Sequence, residues 1–161
     1  MRIQSLLYAT LNPPMRALLR SPLHGLASAS LCLLTYTGRR SGRAFTTPLS
    51  FMREGNLVRL LSSHETRWWL NFRDGPVEVE VEIARKTLRG QATAILEDGD
   101  RLRDGVRTFL TAVPRDAVVY GIKLDRDRRP REEDIASAAG HVVLVEIELE
   151  DQGPGGSGSR E

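Results

Sequence analysis

The chain has 161 residues, of which 40% are hydrophobic and 27% are charged, and its formal net charge is +2. These values fit one soluble domain with its own core, and the aromatic content of 6% and the small charge argue against a general nucleic-acid binder. The single cysteine, Cys32, excludes an intrachain disulfide, and no apolar run reaches the roughly 18 residues of a membrane span.

Positive charge is concentrated at the start of the chain. Residues 1–53 contain seven arginines and no acidic residue, whereas the remainder carries a net charge of −5. This segregation gives one part of the surface a positive field that suits an anionic cofactor or an anionic membrane. Because Cys32 lies in an apolar run without a partner, we expect it to be a small core residue and the protein to be cytoplasmic.

The first 26 residues predict an amphipathic helical segment. Its apolar residues recur at helical spacing, and Pro13 and Pro14 divide it into two pieces. One interpretation is a helix pair that covers an open end of a barrel. The other is membrane-surface contact through residues 1–26, which would place the protein at the inner face of the membrane.

Two strand-like runs, residues 28–37 and 45–52, flank the most informative loop of the chain. The loop reads Gly38-Arg39-Arg40-Ser41-Gly42-Arg43. Arginines donate paired hydrogen bonds to phosphate or carboxylate, and glycines let a ligand approach the backbone. The loop therefore predicts an anion-binding site with Ser41, Thr46 and Thr47 as further donors, and the alternative is a solvated hairpin tip.

More strands and helices are predicted after this loop. Four further strands are predicted, at residues 56–63, 77–83, 87–96 and 141–149. Three helices are predicted, at residues 65–73, 98–113 and 132–139. Since closure removes exposed sheet edges, the pattern predicts an α+β, mainly β fold: a six-stranded antiparallel split β-barrel with flanking helices.

The domain organisation follows from these elements. We expect a helical segment at residues 1–26, a cofactor-binding barrel at residues 27–150 and a disordered tail rich in glycine and serine at residues 151–161.

The sequence lacks the motifs of hydrolytic and metal enzymes. It has no Gly-x-Ser-x-Gly, Walker, His-Glu-x-x-His or Cys-x-x-Cys motif, and His24, His64 and His141 are scattered. We therefore predict no metal site. A redox enzyme whose cofactor carries the reaction needs no such motif, because the protein supplies binding and orientation.

The ordered set of elements resembles the deazaflavin-dependent nitroreductase family. The resemblance covers roughly residues 28–81 and rests on the TGRRSGR loop, the Thr46-Thr47-Pro48-Leu49 strand, the strand end at Ser63-His64 and the helix with Trp68-Trp69. It implies an FMN-binding-like split barrel that uses the 8-hydroxy-5-deazaflavin coenzyme F-420. The implied activity is hydride transfer from the reduced coenzyme to a quinone or nitroaromatic acceptor.

The resemblance also implies a cofactor-binding set around the loop. Arg39, Arg40, Ser41 and Arg43 match the loop that binds the phosphate and oligoglutamate tail of the coenzyme. The following strand residues would approach the deazaflavin ring, namely Thr46, Thr47, Pro48 and Leu49.

The second part of the implied cofactor site lies downstream. Ser63 and His64 would complete the phosphate site, although the family often carries a lysine where this chain has His64. Trp68 and Trp69 face different ways on a helix, and we expect Trp68 to anchor the core and Trp69 to border the ligand. Asn71 matches a family position that holds the loop by hydrogen bonds.

Tyr120 matches a tyrosine-bearing region that shapes the acceptor pocket in the family. Its hydroxyl would donate a proton to the acceptor or orient it, and the alternative is packing on the barrel rim. Two other functions stay open, an FMN-binding split-barrel reductase and a non-catalytic barrel that binds a cofactor or a lipid. The expected partner is a small-molecule electron acceptor without nucleic acid, and the expected state is a monomer or a homodimer.

Overall fold

In the computed structural model, residues 30–151 are described and form one antiparallel sheet with helices at its margins. The strands are β1 (Leu31–Thr37), β2 (Ala44–Ser50), β3 (Met52–Glu54), β4 (Leu57–Ser63), β5 (Val77–Ile83), β6 (Lys86–Ile95) and β7 (Val142–Leu149). The helices are two α-helices, α1 (Asp100–Ala112) and α2 (Glu132–Ala138), and two 3-10 helices, Trp68–Phe72 and Pro114–Tyr120. The segment predicted at residues 1–26 and the tail after residue 151 lie outside the described residues.

The strand order of the sheet makes it curl. The order is β2-β1-β5-β6-β7-β4-β3, so β2 and β3 lie at opposite edges. These two edge strands are consecutive in the chain and are separated only by Phe51, whose N–H donates to the carbonyl of Ser30 at 2.9 Å. One residue cannot cross a flat seven-stranded sheet, since neighbouring strands are almost 5 Å apart. The sheet therefore bends into a half-barrel that brings its two edges together.

The prediction of six strands was wrong by one. The run predicted as a single strand over residues 45–52 is broken at the buried Phe51 into β2 and β3. The break occurs because the chain must pass from one edge of the curled sheet to the other, and alternation of side chains carries no signal of that change. The other predicted strands and helices are present, with ends that differ by a few residues.

β7 lies between two hydrophobic cores. Its side chains alternate, with Val143, Val145 and Ile147 inside the half-barrel and Val142 and Leu144 against the helices. This explains why β7 is apolar on both faces from Val142 to Val145, whereas Glu78 and Glu80 of β5 face solvent. The helical core is built from one side of α1, at Leu102, Val106, Phe109 and Leu110.

Cys32 is fully buried in the half-barrel core, as predicted for a small core residue. Burial raises the pKa of its thiol to about 12, since a thiolate would lose its hydration there. Within residues 30–151, no helix is both long enough and apolar enough to cross a membrane. No group of three or more potential metal ligands is found in the same part of the chain.

The contact between α1 and β7 gives a stability prediction. A Cβ added at Gly105 would overlap Leu144 Cδ2 and lie 3.2 Å from Leu144 Cδ1, and Leu144 is fully buried. Alanine favours a helix by about 1 kcal/mol, but overpacking costs about 1–3 kcal/mol. Because the added Cβ overlaps Leu144, we take the upper part of that cost and expect Gly105→Ala to lower the free energy of unfolding by about 1–2 kcal/mol in urea titrations.

The matched control is Gly140→Ala, because an added Cβ there meets nothing within 4 Å. An unchanged free energy of unfolding in Gly105→Ala would show that Leu144 can move aside and that the helix is not held close by the glycine.

Candidate functional site

The arginine-rich loop between β1 and β2 has a fixed backbone. The Gly38 N–H donates to the Arg43 carbonyl at 2.8 Å, and the Gly42 N–H donates to the Gly38 carbonyl at 2.9 Å. A Cβ on Gly38 would lie 2.8 Å from Phe45 Cε2 and 2.8 Å from Ser41 Oγ, and Gly42 has a φ of +68°. Both glycines are therefore required by the shape of the loop.

This loop forms one side of a groove that we call the arginine groove. Its volume is about 290 Å³, and its lining is Tyr36, Gly38, Arg39, Arg40, Ser41, Phe45, Arg67, Trp68, Leu70 and Asn71. Three guanidinium groups and three aromatic rings thus share one depression. The rings of Tyr36 and Phe45 are stacked with centroids 5.8 Å apart, so the aromatic part is packed in place.

Asn71 holds the loop against the helix that follows β4. Its Oδ1 accepts the Arg39 N–H at 2.9 Å, and its Nδ2 donates to the Trp68 carbonyl at 2.8 Å. This is the loop-holding role that was predicted for Asn71. Both hydrogen bonds use its amide, so the loop and the Trp68–Phe72 helix are fixed relative to each other.

The groove keeps a positive charge. Among the ion pairs of residues 30–151, Arg39 pairs with Asp74 at 3.7 Å, and both side chains are exposed. An exposed pair of this kind contributes little and is easily replaced by a better anion. Arg40 and Arg67 add two more cations to the lining. An anionic group with several oxygens would find bidentate donors here.

The two tryptophans have the opposite arrangement to the one predicted. Trp69 is the buried core residue, its Nε1 donates to the Ser63 carbonyl at 2.9 Å, and its ring lies against His64. Trp68 is half-buried and lines the arginine groove. The prediction was wrong because adjacent residues on a helix face different ways, and the sequence does not show which of them points inward.

Trp68 also carries a polar atom that a ligand would satisfy. Its Nε1 is buried, and no group within the described residues accepts its hydrogen bond. A buried donor without a partner costs about 1–3 kcal/mol. An acceptor atom on a molecule bound in the groove would remove that cost.

A second cavity lies beyond the turn that joins β4 to the Trp68–Phe72 helix, and we call it the tyrosine cavity. It has a volume of about 420 Å³ and is lined by Ser63, His64, Glu65, Val119, Tyr120, Gly121, Asp134, Ser137, Ala138 and His141. The ends of β4 and β7 meet there, since the His64 N–H donates to the His141 carbonyl at 3.0 Å. Asp134 Oδ2 accepts the Lys123 N–H at 2.9 Å.

Ser63 gives the tyrosine cavity a buried hydroxyl. The residue is 8% exposed, and its Oγ has no hydrogen-bond partner among the described residues. As in the arginine groove, a bound molecule could supply the missing partner. Tyr120 brings a second hydroxyl-bearing side chain to the lining of this cavity.

The structure divides the predicted site residues into three groups. Arg39, Arg40, Ser41 and Asn71 line the arginine groove, and Ser63, His64 and Tyr120 line the tyrosine cavity. The remaining predicted residues line neither of these two cavities: Arg43, Thr46, Thr47, Pro48, Leu49 and Trp69. Ser63 and His64 thus line a different cavity from the one that the arginine loop lines.

The structure gives the β2 residues other contacts. Thr46 Oγ1 lies 2.9 Å from Thr35 Oγ1, and Pro48 and Leu49 are buried. Burial raises the pKa of the Tyr36 phenol, and its hydrogen bond with Thr47 opposes that rise. Arg43 is exposed, and its carbonyl helps to close the loop.

Besides Trp68, which was predicted as a core residue, sequence reasoning missed Tyr36, Phe45, Arg67 and Leu70 as lining residues of the groove. Tyr36 and Phe45 lie opposite each other in the β1–β2 register, so pairing the two strands around the loop would have placed them together. Arg67 directly precedes the Trp68–Phe72 helix, and only the Asn71 contact with the loop shows that this segment reaches the groove.

Comparison with known proteins gives a family match. The family model described as "F420H(2)-dependent quinone reductase" matches residues 20–127 of this chain. A comparison with curated protein sequences found no match.

Solved structures share the fold. A structure described as "F420-H2 Dependent Reductase (FDR-A)" has 22% identity and a TM-score of 0.52, covering 74% of this chain and 94% of that chain. A second structure, described as a domain-swapped dimer, has 19% identity and a TM-score of 0.54, covering 84% of this chain and 94% of that chain. At these identities the similarity shows the fold, which agrees with a split barrel.

The contact between Asn71 and the loop can be tested without any ligand. Asn71→Ala removes the acceptor of the Arg39 N–H, so we expect this amide to exchange its hydrogen about tenfold faster in hydrogen-exchange measurements. Asn71→Asp is the matched control, because it keeps an oxygen at the same place and should retain most of the protection. Equal exchange rates in all three proteins would show that Asn71 does not fix the loop.

Proposed function

We propose a binding role for the arginine groove and another for the tyrosine cavity of this chain, which belongs to the F-420-dependent quinone reductase family and is an F-420-dependent oxidoreductase. The arginine groove binds the acidic tail of coenzyme F-420. The tyrosine cavity receives the electron acceptor, which we propose to be a quinone or a nitroaromatic compound. The observation that carries this proposal is that three arginines and three aromatic residues line one groove, while Ser63, His64 and Tyr120 line a second cavity.

The groove fits an acidic tail by charge and by donor geometry. Arg39, Arg40 and Arg67 offer paired N–H donors to phosphate or carboxylate oxygens, and Ser41 adds a hydroxyl. The buried Nε1 of Trp68 supports the same proposal, because a tail oxygen would accept its hydrogen bond. Bound coenzyme would supply the hydride, and the protein would fix its position.

The residues of β2 are proposed neighbours of the ring. β2 continues directly from the arginine loop, and Thr46 and Thr47 are half-buried rather than enclosed. Tyr36 holds Thr47 by a side-chain hydrogen bond and also lines the groove. This stretch, with Pro48 and Leu49 buried behind it, would form a rigid wall for a flat molecule.

The tyrosine cavity is proposed to hold and protonate the acceptor. Ser63 Oγ would donate a hydrogen bond to an acceptor oxygen, and the Tyr120 hydroxyl would pass a proton to the reduced oxygen. Tyr120 stays close to the surface, so solvent can return the proton to it. His64 lies at the mouth of the same cavity and is proposed to contact the acceptor rather than the tail.

Turnover and binding together test the proposal. Purified protein should oxidise reduced coenzyme F-420 when a naphthoquinone is added, and it should bind this coenzyme more tightly than FMN. A single phosphate needs fewer cations than the groove provides, so tighter binding of FMN would favour the alternative FMN-dependent reductase. Tight coenzyme binding without oxidation by any acceptor would select a non-catalytic binding barrel.

The role of the groove gives a quantitative prediction. A charge-assisted hydrogen bond contributes about 1.5–3 kcal/mol, so Arg39→Gln or Arg40→Gln should raise the Kd for coenzyme F-420 by about 10- to 100-fold. Arg43→Gln is the matched control, since Arg43 is in the same loop but outside the groove lining, and its Kd should change much less. Equal losses in the three variants, measured by titration, would contradict a specific groove.

The proton-donor role of Tyr120 gives a kinetic prediction. Tyr120→Phe keeps the ring and removes the hydroxyl, so we expect kcat to fall by roughly 100-fold, at the lower end of what a positioned proton donor contributes. The Kd for the coenzyme should not change, because Tyr120 lies outside the arginine groove. An unchanged kcat in stopped-flow and steady-state assays would leave Tyr120 as a packing residue.

A further inference from the structure

We infer that Thr66 and Trp69 are positioning residues for the molecule bound in the arginine groove, although neither of them lines it. They hold the groove residues Arg67 and Trp68 in place by donating hydrogen bonds to one backbone oxygen, the carbonyl of Ser63. This inference rests on the proposed function, because it names residues that determine how tightly the groove binds the coenzyme tail.

A cluster of buried hydroxyl groups lies at the end of β4. Among residues 30–151, the buried serine and threonine residues are Ser62, Ser63 and Thr66, and no residue with a charged side chain is buried in the same range. A hydrogen bond joins Ser62 Oγ and Thr66 Oγ1. Because the Thr66 hydroxyl donates its one hydrogen to the Ser63 carbonyl at 3.1 Å, Ser62 is the donor in the other bond. The Thr66 hydroxyl is therefore held from two sides.

The Ser63 carbonyl and its donors on Thr66 and Trp69 form what we call the carbonyl anchor. The oxygen accepts Thr66 Oγ1 at 3.1 Å, the Thr66 N–H at 3.1 Å and Trp69 Nε1 at 2.9 Å. A carbonyl oxygen has two lone pairs, so three donors are more than its satisfaction requires. Ser63 is itself paired with Val142 in the sheet. The anchor therefore fixes the path of the turn relative to the sheet.

The two side chains of the carbonyl anchor lie on either side of the groove residues in the sequence. Thr66 directly precedes Arg67, and Trp69 directly follows Trp68. Arg67 and Trp68 line the arginine groove, whereas Trp69 is buried in the half-barrel core. Two residues further on, Asn71 binds the arginine loop. The part of the segment that reaches the groove is thus attached to the sheet before and after it.

This attachment has a consequence for binding. Without it, Arg67 and Trp68 would be free to move relative to the arginine loop. Side chains that are mobile before binding lose that freedom when a ligand orders them, and the loss reduces affinity. The carbonyl anchor therefore raises the affinity of the groove through residues that do not contact the ligand.

The first experiment removes the Thr66 hydroxyl. Thr66→Val keeps the shape of the side chain, and we expect it to raise the Kd for coenzyme F-420 by about three- to tenfold, as for the loss of one buried hydrogen bond. Thr66→Ser keeps the hydroxyl and should bind like wild type. Gly105→Ala is the matched control for lost stability, because Gly105 lies on α1 outside the groove lining, and its Kd should not change.

Arg40→Gln separates this inference from the proposed function. A wild-type Kd in Thr66→Val together with a raised Kd in Arg40→Gln would overturn the inference, and so would equal losses in Thr66→Val and Gly105→Ala. If Arg40→Gln binds the coenzyme like wild type, the proposed role of the groove fails, and a measurement without a ligand decides whether the anchor holds the groove.

That measurement is the fluorescence of Trp68. The chain has two tryptophans, so in Trp69→Phe only Trp68 remains, and the substitution also removes the Nε1 donor from the carbonyl anchor. In this background, we expect Thr66→Val to raise the acrylamide quenching constant of Trp68 about twofold, because its segment is released, whereas Thr66→Ser should leave the constant unchanged. Equal quenching in the three proteins would overturn the inference, whatever binds in the groove.

Discussion

The single-residue link at Phe51 is the constraint on which the rest of the structure depends. Because β2 and β3 lie at opposite edges of the sheet and only one residue joins them, the sheet has to curl. The inside of the curl becomes one core, and the outer face of β7 is left for the helices. The arginine loop connects the paired strands β1 and β2 of the curled sheet. A hydrogen bond joins the ends of β4 and β7, which form a wall of the tyrosine cavity.

The arginine groove and the tyrosine cavity are connected by one short segment of the chain. Residues 64–71 pass from the tyrosine cavity to the arginine groove, with Glu65 lining the first and Arg67 lining the second. Each cavity also contains a buried donor without a partner among the described residues, Ser63 Oγ in one and Trp68 Nε1 in the other.

The sequence predicted the fold where local patterns report directly on structure. Alternation located the strands, and Gly38 and Gly42 located the loop between β1 and β2. Prediction from the sequence failed where contacts between distant segments determine the structure. The bend at Phe51 depends on closure of the sheet, and the orientation of Trp68 and Trp69 depends on the rotation of a short helix. Arg67 lies in the groove because its segment packs against a loop that is distant in sequence, as the hydrogen bond between Asn71 and Arg39 shows. The resemblance assigned Ser63 and His64 to the phosphate site, and the structure places both in the lining of the tyrosine cavity.

The position of β7 has a consequence for how the protein loses its structure. Its residues alternate between the half-barrel core and the helical core, so removing the helices would uncover Val142 and Leu144 on a strand that the half-barrel still needs. Neither layer can therefore melt while the other keeps its full stability, and cooperativity follows from a strand that both layers share. The tyrosine cavity, which is lined by residues of β4 and of α2, should then be lost in the same transition as the half-barrel.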